Sequence, residues 1–187
     1  MDNGLVVLAQ HGDGRAFERL VVELGGRMHA VAYSIVRDRQ LAEDATQAAL
    51  LAMWRGIAGL RDPDRFEAWA FRLLVRACHA ERRSLRRWVP NLTSRPPEVR
   101  SHHDDQSVIA DRDQLERGFE RLSFDERTVV VLHFYQDMPA SQIADVLDIP
   151  PGTARSRLYN ATLSLRAAID ADARTSHASD ARGEVTR

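Results

Sequence analysis

The sequence predicts an all-α protein of two small helical domains joined by a flexible linker. Three observations predict it. Apolar residues recur at steps of three and four through the first half of the chain, beginning at Phe17, and a helix–turn–helix pattern occupies Gln142 to Leu165. Between them, from Trp88 to about Asp111, Pro90, Pro96, Pro97 and the run Ser101-His102-His103-Asp104-Asp105 show no helical period. A chain of 187 residues with 44% hydrophobic content accommodates one ordinary globular domain or two small ones. The expected divisions are a helical bundle over 1–87, a linker over 88–112, a helix–turn–helix domain over 113–170 and a disordered tail over 171–187.

The first apolar period runs through Phe17, Leu20, Val21, Leu24, Met28, Val31, Ala32 and Ile35. Gly25-Gly26 interrupts it, and two adjacent glycines cost about 2 kcal/mol against alanine, so a kink or break is expected there. A second helix follows from about Leu41 to Ile57. Arg61-Asp62-Pro63-Asp64 then forms a turn before a third helix from about Arg65 to Arg87. On that helix Arg72, Arg76, His79, Arg83 and Arg86 follow steps of four, three, four and three, which places them on one face. Phe71, Val75, Cys78 and Leu85 occupy another. The pattern suits a helix that docks on its bundle and turns cations outward; a merely solvated amphipathic helix shows the same spacing. Cys78, the single cysteine, excludes an internal disulfide and reads as a small buried hydrophobe.

Beyond the linker, Ser123-Phe124-Asp125-Glu126 has the Ser-x-x-Glu pattern of a capping box and opens the apolar run Val129 to Tyr135. Ile143, Val146 and Leu147 mark the next helix, where small Ala144 lets a partner cross closely. Asp148 stands at the turn, a residue type that tolerates a left-handed conformation. After Pro150, Pro151 and Gly152, the stripe Ala154, Leu158, Ala161 and Leu165 buries one side of the last helix. Arg155, Ser156 and Asn160 lie off that stripe, with Thr153 and Arg157 at its borders. They offer guanidinium, hydroxyl and amide groups to phosphates and base edges, as a DNA-recognition helix does. The alternative is an ordinary hairpin with solvated arginines. Ala171 to Arg187 is small, polar and mixed in charge, and is expected to fray.

The net charge of −1 conceals segregation. Ala70 to Trp88 carries six arginines against Glu81 alone, whereas Glu98 to Glu126 carries nine acids against four arginines, which implies opposite partners or mutual shielding. All 26 basic residues are arginine. No signal peptide opens the chain and no apolar run approaches about 18 residues, so a cytoplasmic protein without membrane insertion is expected. There is no glycine-rich phosphate loop, no HExxH and no cluster of Cys and His, so no catalytic residue, metal or cofactor is assigned and the chain is not read as an enzyme. Adjacent His102-His103-Asp104, without Cys or a second His cluster, is a poor metal site.

With these residues in view, the run Leu115 to Arg166, whose last helix opens with Gly152-Thr153-Ala154-Arg155-Ser156-Arg157-Leu158, resembles region four of bacterial sigma factors, most closely the extracytoplasmic-function (group IV) type. The same hairpin occurs in response-regulator DNA-binding domains; the amino-terminal half decides between them. Ala42-Glu43-Asp44-Ala45-Thr46-Gln47, leading into Leu50, Leu51 and Trp54, is similar to the region-two helix that grips the clamp of core RNA polymerase. Phe66-Glu67-Ala68-Trp69 followed by Arg72 to Arg87 resembles the segment that reads and opens the minus-ten element. The resemblance covers residues 10 to 170.

It implies a sigma factor that binds core RNA polymerase and directs promoter recognition and transcription initiation, the first domain on the minus-ten element and the second on the minus-thirty-five element. Asp44, Gln47, Leu51 and Arg55 would then contact polymerase. Arg61, Arg65, Arg72, Arg76, His79, Arg83 and Arg86 would contact minus-ten DNA, with the Arg61 to Arg65 loop holding a flipped base. Thr153, Arg155, Ser156, Arg157 and Asn160 would contact minus-thirty-five DNA. An anti-sigma partner is also implied. The chain departs from the family pattern at Ala48, Ala77, Pro139, Asp148, Asn160 and Thr162, so the polymerase contact at Ala48 and the base preference near Ala77 do not carry over, and the minus-thirty-five contact at Asn160 and Thr162 is expected to be weaker in charge or different in sequence. The rival reading is a free-standing DNA-binding regulator.

Overall fold

The computed structural model describes residues 2–88 and 115–183, with side chains described over 2–85 and 115–171. Every regular element among them is a helix. The expected linker and its His102-His103-Asp104 lie outside the described residues, apart from Trp88.

In the first half, α1 (Asn3–Gln10) starts at Asp2, whose carboxylate accepts from the Gly4 amide at 2.8 Å. Asp13 likewise caps α2 (Gly14–Val36), and Asp38 caps α3 (Arg39–Gly56). Two single 3₁₀ turns, Ile57–Gly59 and Pro63–Arg65, lead into α4 (Phe66–Trp88). Ala42, Ala45 and Ala49 give α3 a fully buried face of small side chains, against which α2 and α4 pack. From α4, Phe66, Ala70, Phe71, Leu74, Val75 and Cys78 complete this core. Burial pushes the Cys78 thiol up to about 12, so it stays protonated and inert, as the apolar stripe implied.

The kink or break expected at Gly25-Gly26 does not occur, because α2 runs unbroken through the pair. Leu20 and Leu24 before it and Met28 and Val31 after it are at most 1% exposed. Each such burial contributes about 1.5–3 kcal/mol, which together exceeds the roughly 2 kcal/mol the glycines cost. A Cβ on either glycine would meet nothing within 4 Å, so neither serves a close approach. Gly26→Ala is therefore expected to stabilise the protein by about 0.8–1 kcal/mol and raise Tm by about 2–4 °C, read by thermal denaturation.

The second half comprises α5 (described over 115–121), α6 (Phe124–Phe134), α7 (Ala140–Leu147) and α8 (Pro151–Gly183). The capping box forms as expected: the Glu126 amide donates to Ser123 Oγ at 3.3 Å and the Ser123 amide to the Glu126 carboxylate at 2.9 Å. Four successive residues of α6, Val129 to Leu132, are buried, since α2 covers one side of the helix and α7 and α8 the other. Residues 171–183, expected to fray, continue α8 to Gly183. Their alanines favour helix, and no proline or glycine intervenes before that residue.

The two halves share one apolar core, with α6 against α2 and α7 against α4. Arg127 crosses this seam, donating to the carbonyl of Ile35 at 3.2 Å and to that of Leu122 at 2.9 Å. Burial, then the charges of Arg37 and Arg82, lower its pKa to about 10, so the guanidinium keeps its charge at neutral pH. Arg27 donates to Gln136 at 2.7 Å, and Arg37 pairs with Glu116. Among the described residues no helix is long and apolar enough to cross a membrane.

Candidate nucleic-acid and polymerase interface

The hairpin turn is built by backbone hydrogen bonds rather than by glycine. Asp148 takes the left-handed conformation at φ 57°, and the amides of Asp148 and Ile149 both donate to the carbonyl of Ala144. Pro151 then occupies the first position of α8, where its missing N–H costs nothing. Pro139 caps α7 without a side-chain bond, as its lack of a hydroxyl requires.

Ala154 and Ala161 of α8 are fully buried, and Leu158 and Leu165 half-buried, so the expected stripe is the docked side. Arg155, Ser156 and Asn160 are exposed on the free side, with Thr153 and Arg157 half-buried at its edges. Ser156 Oγ donates to the Thr153 carbonyl at 3.0 Å, which leaves its oxygen able to accept. Tyr159, 66% exposed, belongs to the same surface and was missed by the sequence reading. The signal was available: Tyr159 stands four residues after Arg155 and three after Ser156, off the buried stripe.

A second cationic surface lies on the first half. The Gln10 side chain donates to the carbonyls of Leu60 at 2.5 Å and Ile57 at 3.3 Å, and Asn3 bonds Asp64, so α1 braces the loop that carries Arg61 and Arg65. Trp69 lies against the end of α3, where a Cβ on Gly56 would come within 3.1 Å of the indole, so a larger residue there would require the ring to shift by a few tenths of an ångström. Phe66 is buried. Trp69 instead lines an open cleft of about 390 Å³ with Arg61, Arg65 and Arg72.

The arginine row of α4 is divided. Arg76 and Arg83 are exposed, whereas the Arg86 side chain lies outside the described residues. Arg72 is half-buried and donates through Nε to the Asp145 carbonyl at 2.8 Å, while Arg65 pairs with the Asp145 carboxylate. His79 meets the Phe124 ring at 4.5 Å, and the Arg82 guanidinium lies 4.6 Å from the same ring. Three residues expected to face DNA, Arg65, Arg72 and His79, therefore touch the second half of the chain.

Burial lowers the His79 pKa below the ordinary 6.5, and Arg83 and Arg82 act in the same direction against Asp125. A histidine lowered in the folded state adds no pH dependence above about 6.5, and costs stability as pH falls below that value, because the unfolded chain then binds more protons. Stability is accordingly expected to fall more steeply between about pH 6.5 and 5 in the wild type than in His79→Phe, measured by urea denaturation.

The third surface is on α3. Gln47, Leu51 and Arg55 are exposed, and half-buried Asp44 accepts from Gln40 at 3.1 Å. Leu50 leans on the core, whereas Trp54 is 48% exposed and held edge-on by Phe17 at 4.9 Å. Leu51, 54% exposed, and Trp54 thus form an apolar centre rimmed by Gln47 and Arg55, the composition of a protein-binding patch. Among the described residues no group of three His, Cys, Asp or Glu side chains is arranged to hold a metal.

Sigma-70 region 2 matches residues 20–88 of this chain, and Sigma-70 region 4 matches residues 112–165. The RNA polymerase sigma-H factor of Pseudomonas aeruginosa is 28% identical over 181 residues, spanning 90% of this chain and 92% of that protein. The ECF RNA polymerase sigma factor SigL of Mycobacterium tuberculosis is 34% identical over 139 residues, spanning 72% of this chain and 78% of SigL. The solved structure of CnrH in complex with the cytosolic domain of CnrY matches with a TM-score of 0.66 and 26% identity, over 91% of this chain and 98% of CnrH. Both regions occur in order on one chain, each folded as helices around the surfaces described above, and the protein belongs to the ECF family of RNA polymerase sigma factors.

Proposed function

We propose that this sigma factor, whose role is promoter recognition with RNA polymerase, divides the work among three surfaces. The Asp44, Gln47, Leu51 and Arg55 face of α3 binds core polymerase. Arg61, Arg65, Arg72, Arg76, His79 and Arg83, with Arg86 further along α4, serve the minus-ten element. Thr153, Arg155, Ser156, Arg157, Asn160 and Tyr159 serve the minus-thirty-five element. The observation that carries this reading is that two separate arginine-bearing surfaces, the cleft beside Trp69 and the free face of α8, stand on one chain with an apolar-centred patch that neither uses.

The chemistry differs between the two DNA surfaces. On α8 a helix offers side chains of several kinds along one face, which suits reading base edges in a major groove. At the cleft, guanidinium groups stand beside an indole, which suits a single base taken out of the stack and the phosphates beside it. A protein partner of the anti-sigma kind is part of the proposal, supported by the likeness to CnrH, which was solved with the cytosolic domain of CnrY.

The test is reconstitution with bacterial core polymerase on a genomic promoter library. Polymerase-dependent start sites are expected; tight duplex binding without polymerase association would instead indicate a free-standing regulator. Asp44→Arg is expected to weaken core-polymerase binding about tenfold or more while leaving the thermal unfolding curve in place. Unchanged affinity would remove α3 from the polymerase contact.

A further inference from the structure

On the free face of α8 the neutral and the charged groups are sorted. Thr153, Ser156 and Asn160, at steps of three and four, form one row, and Arg155 and Arg157 stand on either side of it. The hydrogen-bonding part of the row ends at Asn160, because the next residue along it is Leu163, 45% exposed. Gly152, Thr153 and Ser156 are small, so no bulky side chain on the row at the start of the helix holds it away from the floor of a groove. Asn160 stands nine residues after Pro151, about 14 Å along the helix. It is exposed, and its amide bonds no group among the described residues. It caps nothing, since α8 continues to Gly183, and asparagine is a poor helix former. Nothing in the fold therefore accounts for this side chain.

A neutral amide binds phosphate less strongly than the guanidinium groups beside it. What it supplies and they do not is a donor and an acceptor side by side. Adenine alone presents the complement in the major groove, the N6 amino group next to the N7 acceptor. We infer that Asn160 is a specificity-determining residue: its side-chain oxygen accepts from N6, and its nitrogen donates to N7, of one adenine in the minus-thirty-five element. The inference rests on the reading of α8 as the DNA-recognition helix. Guanine sets two acceptors, N7 and O6, against the amide and leaves its oxygen without a donor, while a pyrimidine offers a single hydrogen-bonding group. The short side chain suits this position, because the small residues before it on the row let the helix sit deep enough for an amide to reach a base edge.

The experiment uses holoenzyme, reconstituted from the full chain and bacterial core polymerase, to select from a fully randomised duplex library. At one position of the upstream motif, adenine is expected to be enriched about fivefold to a hundredfold over the other bases. Asn160→Arg should move that preference to guanine, whose N7 and O6 suit a guanidinium, and leave the other positions as they were. Replacing the adenine by 7-deaza-adenine, which lacks the N7 acceptor, is expected to weaken binding by the wild type about threefold to tenfold and by Asn160→Ala not at all. An equal loss in both proteins would overturn the adenine contact. So would a motif unaltered by Asn160→Arg, and where promoter affinity still falls with Arg155→Ala and Arg157→Ala, α8 keeps its place on the DNA. Affinity indifferent to all of these variants would remove α8 from the promoter and the inference with it.

Discussion

Phe71→Ala is expected to cost about 3–5 kcal/mol of folding stability, a large share of the roughly 5–15 kcal/mol a domain possesses. Phe71 is fully buried on the inner side of α4, with the Arg27 guanidinium 5.8 Å from its ring centroid. Its neighbours along the buried face, Leu74, Val75 and Cys78, are helical residues that cannot collapse far into the space vacated. The cost therefore combines lost transfer energy with a residual cavity. Function should follow stability, because α4 carries Arg72 of the cleft and directly follows the turn that holds Arg65. Urea denaturation would measure the loss; a change below about 1 kcal/mol would mean that the core around α4 relaxes freely.

Promoter discrimination is expected to respond most strongly at the free face of α8. If Arg157 reads a base, Arg157→Ala costs about 1–3 kcal/mol on the preferred promoter, and less on promoters changed at one base pair. Its half-burial at the border of the docked stripe favours that role, since a guanidinium braced by its own domain aims in one direction. Arg155 is exposed and suits a phosphate instead. Arg155→Ala should weaken all sequences alike and reduce the salt slope of binding by about 1. Holoenzyme binding to promoter duplexes over a salt series separates the two. Equal loss on every sequence from Arg157→Ala would assign it to the backbone, and an unchanged slope from Arg155→Ala would remove its phosphate contact.

Most helix starts were legible because their causes are local. The reciprocal Ser123 and Glu126 bonds need only four residues, and the buried face of α8 follows from the spacing of Ala154, Leu158, Ala161 and Leu165. The Gly25-Gly26 reading failed for the opposite reason. Glycine propensity is a local quantity, whereas the side chains that hold α2 straight are buried by α1, α3 and α4 and by the second half of the chain. Tyr159 was legible and overlooked, being an aromatic on a face read only for its polar groups.

By itself the sequence determined the helical class, the hairpin with its left-handed Asp148, the polar face of α8, the arginine row of α4 and the resemblance that pointed to this family. These depend on residues within about two turns of one another, where periodicity and capping chemistry decide the outcome. Only the tertiary structure decided which members of the arginine row are free. Arg72 and His79 share a helical face with Arg76 and Arg83, yet α7 and the start of α6 cover the first two and leave the others exposed. The partner groups, Asp145 and Phe124, stand 73 and 45 residues away along the chain, so no local pattern could announce the contacts that join them.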